Sequence, residues 1–135
     1  MDVSTFVLSR ALPDVALRLQ ELVAQSGQAA DQRYVFAEIS DVLMGVGAAE
    51  LAATVWGIDL AGLSPFARNY VAALVEQACA LRGVAPPAWT DDVAPLDLPW
   101  FAADLTSLRS HLLRASPVPF RRRNLFIDAG VDARV

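Results

Sequence analysis

Apolar residues recur along this chain mainly at helical spacing. An apolar lead-in, Val3 to Leu12, is compatible with a helix of its own or with none. Pro13 and Asp14 then open a helix in which Val15, Leu19, Leu22 and Val23 share one face, ending near Ser26-Gly27. From Asp31 as N-cap, the residues Val35, Phe36, Ile39, Val42, Leu43 and Val46 form a stripe that Gly45 and Gly47 weaken, which predicts a second amphipathic helix. Glu50 to Trp56 reads as a short third helix, closed by a left-handed Gly57. The clearest helix follows, with Ser64 as N-cap, Pro65 at its first position, an apolar face of Phe66, Tyr70, Val71, Leu74, Val75 and Ala78, and Gly83 past its end.

Prolines then interrupt the pattern. Pro86, Pro87, Pro95 and Pro99, with three aspartates among them, make residues 84–103 an extended segment that wraps over the surface, held down by Trp89 and Trp100. Another helix is predicted from Asp104 to Ala115 with Leu105, Leu108 and Leu112 inward and His111 beside them. Ser116-Pro117 opens a last helical turn to Arg123, Asn124 ends it in a left-handed conformation, and Leu125-Phe126-Ile127 read as a short strand stopped by Asp128 and Gly130. A lone strand leaves backbone groups open, so it requires a second copy of the chain, a partner's sheet edge, or cover from its own helices. The expected fold is mainly α: one compact helical domain over residues 1–135 with about five helices, the proline-rich wrap, a basic and aromatic C-terminal segment at 116–135, and the short strand.

Composition sharpens this picture. Apolar residues make up 55% of the 135 positions and charged ones 19%, an imbalance that argues for a buried interface beyond the chain's own core, hence an oligomer or a protein partner. The single Cys79 excludes an intrachain disulfide, and with only one histidine it cannot build a structural zinc site. The start of the chain lacks the basic and apolar blocks of a signal peptide, and no uncharged apolar run reaches about 18 residues, so the expectation is a cytoplasmic protein that spans no membrane. All eleven basic residues are arginine, and alanine is abundant, as in proteins of GC-rich bacterial genomes. Charge is unevenly spread: residues 31–104 carry ten acids against Arg33, Arg68 and Arg82, a net of −7, whereas residues 105–135 carry six arginines against Asp128 and Asp132, a net of +4. An acidic partner would dock at the C-terminal segment.

Few residues suggest chemistry. A Cys-His or Ser-His-Asp set can be assembled on paper from Cys79, His111 and several aspartates, but Cys79 reads better as a small buried residue and His111 as a helix-surface residue. No phosphate-binding glycine loop, metal-ligand spacing or telling carboxylate pair is present, and Asp91-Asp92 reads as a solvated loop. No cofactor is expected, and the chain reads as a non-enzyme. A degenerate helix-turn-helix can be threaded through Ala52, Ala53, Gly57, Ile58, Leu63 and Ser64, although its recognition segment would carry Asp59 and no cation. The strongest local feature is the run from Ser116 to Asp128. Arg121, Arg122 and Arg123, flanked by Phe120, Leu125, Phe126 and Ile127, suit a docking segment in which arginines grip carboxylates or phosphates and the apolar side chains anchor in pockets; a solvated basic turn is the plainer alternative.

The pieces Arg82-Gly83-Val84-Ala85-Pro86-Pro87-Ala88-Trp89, Leu98-Pro99-Trp100-Phe101 and Pro119-Phe120-Arg121-Arg122-Arg123-Asn124-Leu125-Phe126-Ile127-Asp128 together resemble the C-terminal half of small actinobacterial antitoxin-like proteins found beside nucleotidyltransferase-like toxins. The resemblance covers about 50 residues and implies a non-catalytic antitoxin or regulatory subunit that masks a toxin-like partner. It brings no catalytic residues. The alternative is a DNA-binding transcriptional regulator resting on the degenerate helix-turn-helix.

Overall fold

The computed structural model describes the backbone of residues 3–28, 32–102 and 106–127. Among these residues it is mainly helical: α1 (Val3–Ser26), α2 (Gln32–Gly45), α3 (Ala48–Val55), α4 (Pro65–Arg82), α5 (Thr106–Ala115) and α6 (Val118–Arg121), with two short strands, β1 (Trp100–Phe101) and β2 (Leu125–Phe126). None of these helices is long and apolar enough to cross a membrane. Asp31, Asp104, Leu105, Asp128 and Gly130, to which the sequence assigns a cap, a helix start, an inward leucine and a strand stop, lie outside the described residues, as does the side chain of Leu108.

Helix α1 does not open at Pro13 but runs through it. Proline removes one intrahelical donor there, and the leucine- and alanine-rich sequence on both sides favours helix strongly enough to continue. Leu19, Leu22 and Val23 of α1 and Phe36, Ile39 and Leu43 of α2 are buried, as their spacing predicts, and so are Leu51 and Val55 of α3. Gly57 has no positive φ; the left-handed residue after α3 is Gly62 (φ 82°). It lies in a built loop, in which Gln20 of α1 donates through Nε2 to Asp59 O at 2.9 Å and accepts from Asp59 N at 2.7 Å. Asp59 Oδ1 in turn accepts from Ala61 N.

Helix α4 is the centre of the fold, and both its ends follow from the sequence. Ser64 Oγ accepts from Ala67 N at 3.2 Å. At the other end Gly83 (φ 67°) donates to Ala80 O and Val84 to Cys79 O, the paired bonds of a Schellman closure. Arg82, in the last turn of α4, hydrogen-bonds Met44 O and Val46 O, so its guanidinium satisfies the open carbonyls at the end of α2. What the sequence does not predict is how completely α4 is enclosed. Ala67, Val71, Ala72, Ala73 and Val75 are fully buried, and so, almost fully, are Asn69 and Glu76. Tyr70 is held between two aromatic rings, stacked on Phe36 of α2 (4.1 Å, 8°) and met edge-on by Phe120 of α6 (5.4 Å, 78°).

The segment after α4 wraps over this core as expected, with a 3-10 turn at Ala88–Asp92. Trp89 Nε1 donates to Val55 O at 2.9 Å, fastening the wrap to the end of α3, and Trp100 lies against Phe66 at 4.9 Å. The C-terminal strand does not need another chain. It pairs in parallel with β1 from the wrap, Trp100 opposite Leu125 and Phe101 opposite Phe126, and the Phe101 and Phe126 rings stack at 5.1 Å. A parallel pair needs a long crossover, which α5 and α6 provide.

Replacing Gly83 by alanine forces a Cβ into the left-handed region, with nothing within 4 Å for it to clash against, so the cost is conformational. Urea denaturation should show a loss of about 1–2 kcal/mol; an unchanged midpoint would contradict the left-handed closure. Ser64→Ala should cost about 1 kcal/mol through the lost cap.

Candidate functional site

Three consecutive arginines at the end of α6 meet three environments. Successive helical residues turn by about 100°, so a run of three cannot face one way. Arg121 is exposed, and its side chain has no hydrogen bond or ion pair among the described residues. Arg122 keeps its side chain 65% exposed while Nη2 donates to Glu76 Oε2 at 3.1 Å. Arg123 is enclosed. Its Nε donates to Glu76 Oε1 at 2.7 Å, Nη1 to Asn69 Oδ1 at 3.1 Å and to Val93 O at 3.0 Å, and Nη2 to Thr90 O at 2.6 Å.

This guanidinium therefore joins three parts of the chain. Asn69 and Glu76, two turns apart on α4, present their polar ends to the same side of the helix, and the carbonyls of Thr90 and Val93 come from the wrap. Neighbouring groups complete the lattice. Asn69 Nδ2 donates to Pro65 O and Ala94 O, both at 2.9 Å. Asn124, left-handed at φ 63° as its position after α6 predicts, donates through Nδ2 to Leu96 O at 2.6 Å. Ser116 Oγ accepts from Ile127 N at 2.8 Å and so ties the end of β2 to the end of α5. No buried side-chain nitrogen or oxygen among the described residues lacks a partner, which is the condition under which buried charge is tolerated.

The docking segment expected from sequence must accordingly be corrected. Phe120 and Leu125 have no exposed surface, Ile127 shows 2%, Arg123 6% and Phe126 8%. These five side chains are spent on the chain's own core and cannot enter a partner's pocket without unfolding the C-terminal segment. Arg121 and Arg122 remain available. On α5 and α6 Leu113, Arg114 and Val118 are exposed as well, and Arg109 lies over the Phe101 ring at 5.0 Å.

The helix-turn-helix geometry also fails. The connection between α3 and α4 spans residues 56–64, far longer than the three- or four-residue turn of that motif. The second helix would be α4, which is buried on nearly every side and cannot enter a groove. Cys79 is fully enclosed, and burial, with the nearby Glu76 charge second, pushes its thiol pKa upward. His111 lies on the exposed side of α5, so the two do not form a reachable nucleophile–base pair. No group of three metal-ligating side chains comes together among the described residues. Glu76 and Asn69, the residues on which the site is built, have no sequence signal stronger than a polar pair seven positions apart on a helix that also carries Arg68, Gln77 and Arg82. No protein-family model, curated protein or solved structure matches the chain.

Arg123→Ala leaves Glu76 buried with a single exposed partner and takes the donor from Val93 O and Asn69 Oδ1, so chemical denaturation should show a loss of about 3–5 kcal/mol. Arg122→Ala should change stability by less than about 1 kcal/mol, as for an ion pair with one partner in solvent. Similar losses from the two substitutions would refute the distinction. The raised thiol of Cys79 favours the folded state below the ordinary value near 9.0, and that contribution is lost as pH rises through the raised value, because the unfolded chain releases the proton first. A thiol reagent should therefore label native Cys79 only at the rate of unfolding; rapid labelling would contradict its enclosure.

Proposed function

We propose that the chain is a non-catalytic binding protein, an antitoxin or regulatory subunit that masks an acidic partner protein in the cytoplasm. The observation that carries this reading is the outer surface of α5 and α6. Leu113 and Arg114 of α5 and Val118 and Arg121 of α6 are exposed there, the two aliphatic residues at 46% and 51%, and neither arginine side chain forms an ion pair among the described residues. Arginine mixed with exposed aliphatic side chains is the chemistry of a docking face for carboxylates set in an apolar surround. The buried Arg123 network anchors the chain just past α6 to α4 and the wrap, which limits the ordering required of Val118 and Arg121 on binding. The net of +4 over residues 105–135 supplies attraction toward an acidic surface that the rest of the chain lacks. The sequence resemblance to antitoxin-like proteins supplies the class of partner, a nucleotidyltransferase-like toxin whose acidic metal-binding pocket the arginines would cover.

The test is co-purification of the tagged full chain with the protein encoded beside it. Recovery in fixed stoichiometry is expected, and replacing both Arg114 and Arg121 by alanine should weaken the complex at least about tenfold with no change in melting temperature. Alanine at Arg123 is not a usable probe, because it unfolds the platform. Unchanged affinity in the double variant would sink the docking face, and recovery only of nucleic acid that is lost as salt rises would replace the partner reading with a DNA-binding one.

A further inference from the structure

A cleft of about 220 Å³ opens beside the buried ion pair, walled by Glu76, Thr90, Asp91, Arg122 and Arg123, with Val93 and Pro95 as an apolar side. Most of its polar groups are already engaged. The two Glu76 oxygens accept from Arg123 Nε and Arg122 Nη2 respectively, and the Thr90 hydroxyl donates to Pro87 O. Arg123 directs four N–H bonds into the chain, to Glu76, Asn69, Val93 and Thr90. Glu76 and Arg123 thus cancel as charges. Two further charges of opposite sign line the same cleft without pairing to each other. Arg122 bonds Glu76 through one side-chain nitrogen and keeps its remaining guanidinium donors free, and the exposed Asp91 carboxylate has no hydrogen bond or ion pair among the described residues.

The geometry points to a binding site for a small zwitterion, a free α-amino acid with a short side chain. Size and charge both narrow the class. The cleft measures about 220 Å³, below the roughly 300–1,000 Å³ of sites that enclose cofactors or drug-sized ligands, which favours a small ligand. A lone anion that reaches Arg122 also meets Asp91, and a lone cation at Asp91 meets Arg122. A molecule carrying both charges satisfies both groups: its carboxylate takes the free guanidinium donors, its ammonium faces Asp91, and Val93 and Pro95 receive a short side chain. Arg114 and Arg121 take no part, so this site stands or falls separately from the proposed docking face.

The test is a titration of the isotope-labelled full chain with alanine, and separately with sodium acetate and methylammonium chloride at matched ionic strength. The readouts are the backbone amide signals of Thr90 to Val93 and the Arg122 Nε–H. Saturable shifts are expected with alanine in the millimolar range and not with either half-molecule. Asp91→Asn and Arg122→Ala should each weaken alanine binding about tenfold, while signals from the α1–α3 core stay in place and report an intact fold. Shifts that never saturate, that acetate reproduces, or that survive both substitutions would overturn the site.

Discussion

One guanidinium organises the C-terminal third of this protein. Arg123 reaches a carboxylate and an amide on α4 and two main-chain carbonyls of the wrap. None of these bonds is strong by itself once the desolvation of both charges is counted, and a well-packed apolar cluster of the same volume would stabilise the fold at least as well. What the ion pair supplies is registry. A helix face made of alanine and valine accepts a covering segment in many positions. A forked cation that must meet an amide, a carboxylate and two carbonyls at fixed places accepts one. The position of Arg123 sets Asn124 under Leu96, and Asn124 sets β2 against β1.

The same contact explains why α4 is apolar on more than one side. α2 packs on it through Phe36, and α6 packs on it through Phe120, with Tyr70 between the two rings. Part of the apolar excess that argues for a partner is therefore absorbed inside the chain, and the strand that required pairing is satisfied by the wrap. The case for a partner passes from hidden side chains to displayed ones, and there the cationic surface of α5 and α6 stands out against an otherwise acidic chain.

Much of this was legible in the residues. The α4 boundaries followed from Ser64, Pro65 and Gly83, the proline spacing gave the wrap, and the tryptophans gave its anchors, because each of these rests on local chemistry. The burial of Arg123 was not legible in the same way. Nothing in a run of three arginines says which one, if any, turns inward. Identifying the inward one required Glu76 and Asn69, and their burial depends on segments 47 and 54 residues further along the chain. Gly57 illustrates a smaller failure of the same kind: a glycine follows α3, but Asp59 and Gln20 shape the loop, and the left-handed residue falls at Gly62 instead.

The distance in sequence between Arg123 and its partners also orders events in time. As the chain leaves the ribosome, α1 to α4 emerge with their apolar faces able to collapse, yet the Glu76 carboxylate has nothing to meet until residues 122 and 123 are free. Closing contacts over such separations is slow compared with forming the helices themselves. The first four helices therefore emerge ahead of the segment that covers α4, and until that segment closes Tyr70 lacks the Phe120 ring that later meets it.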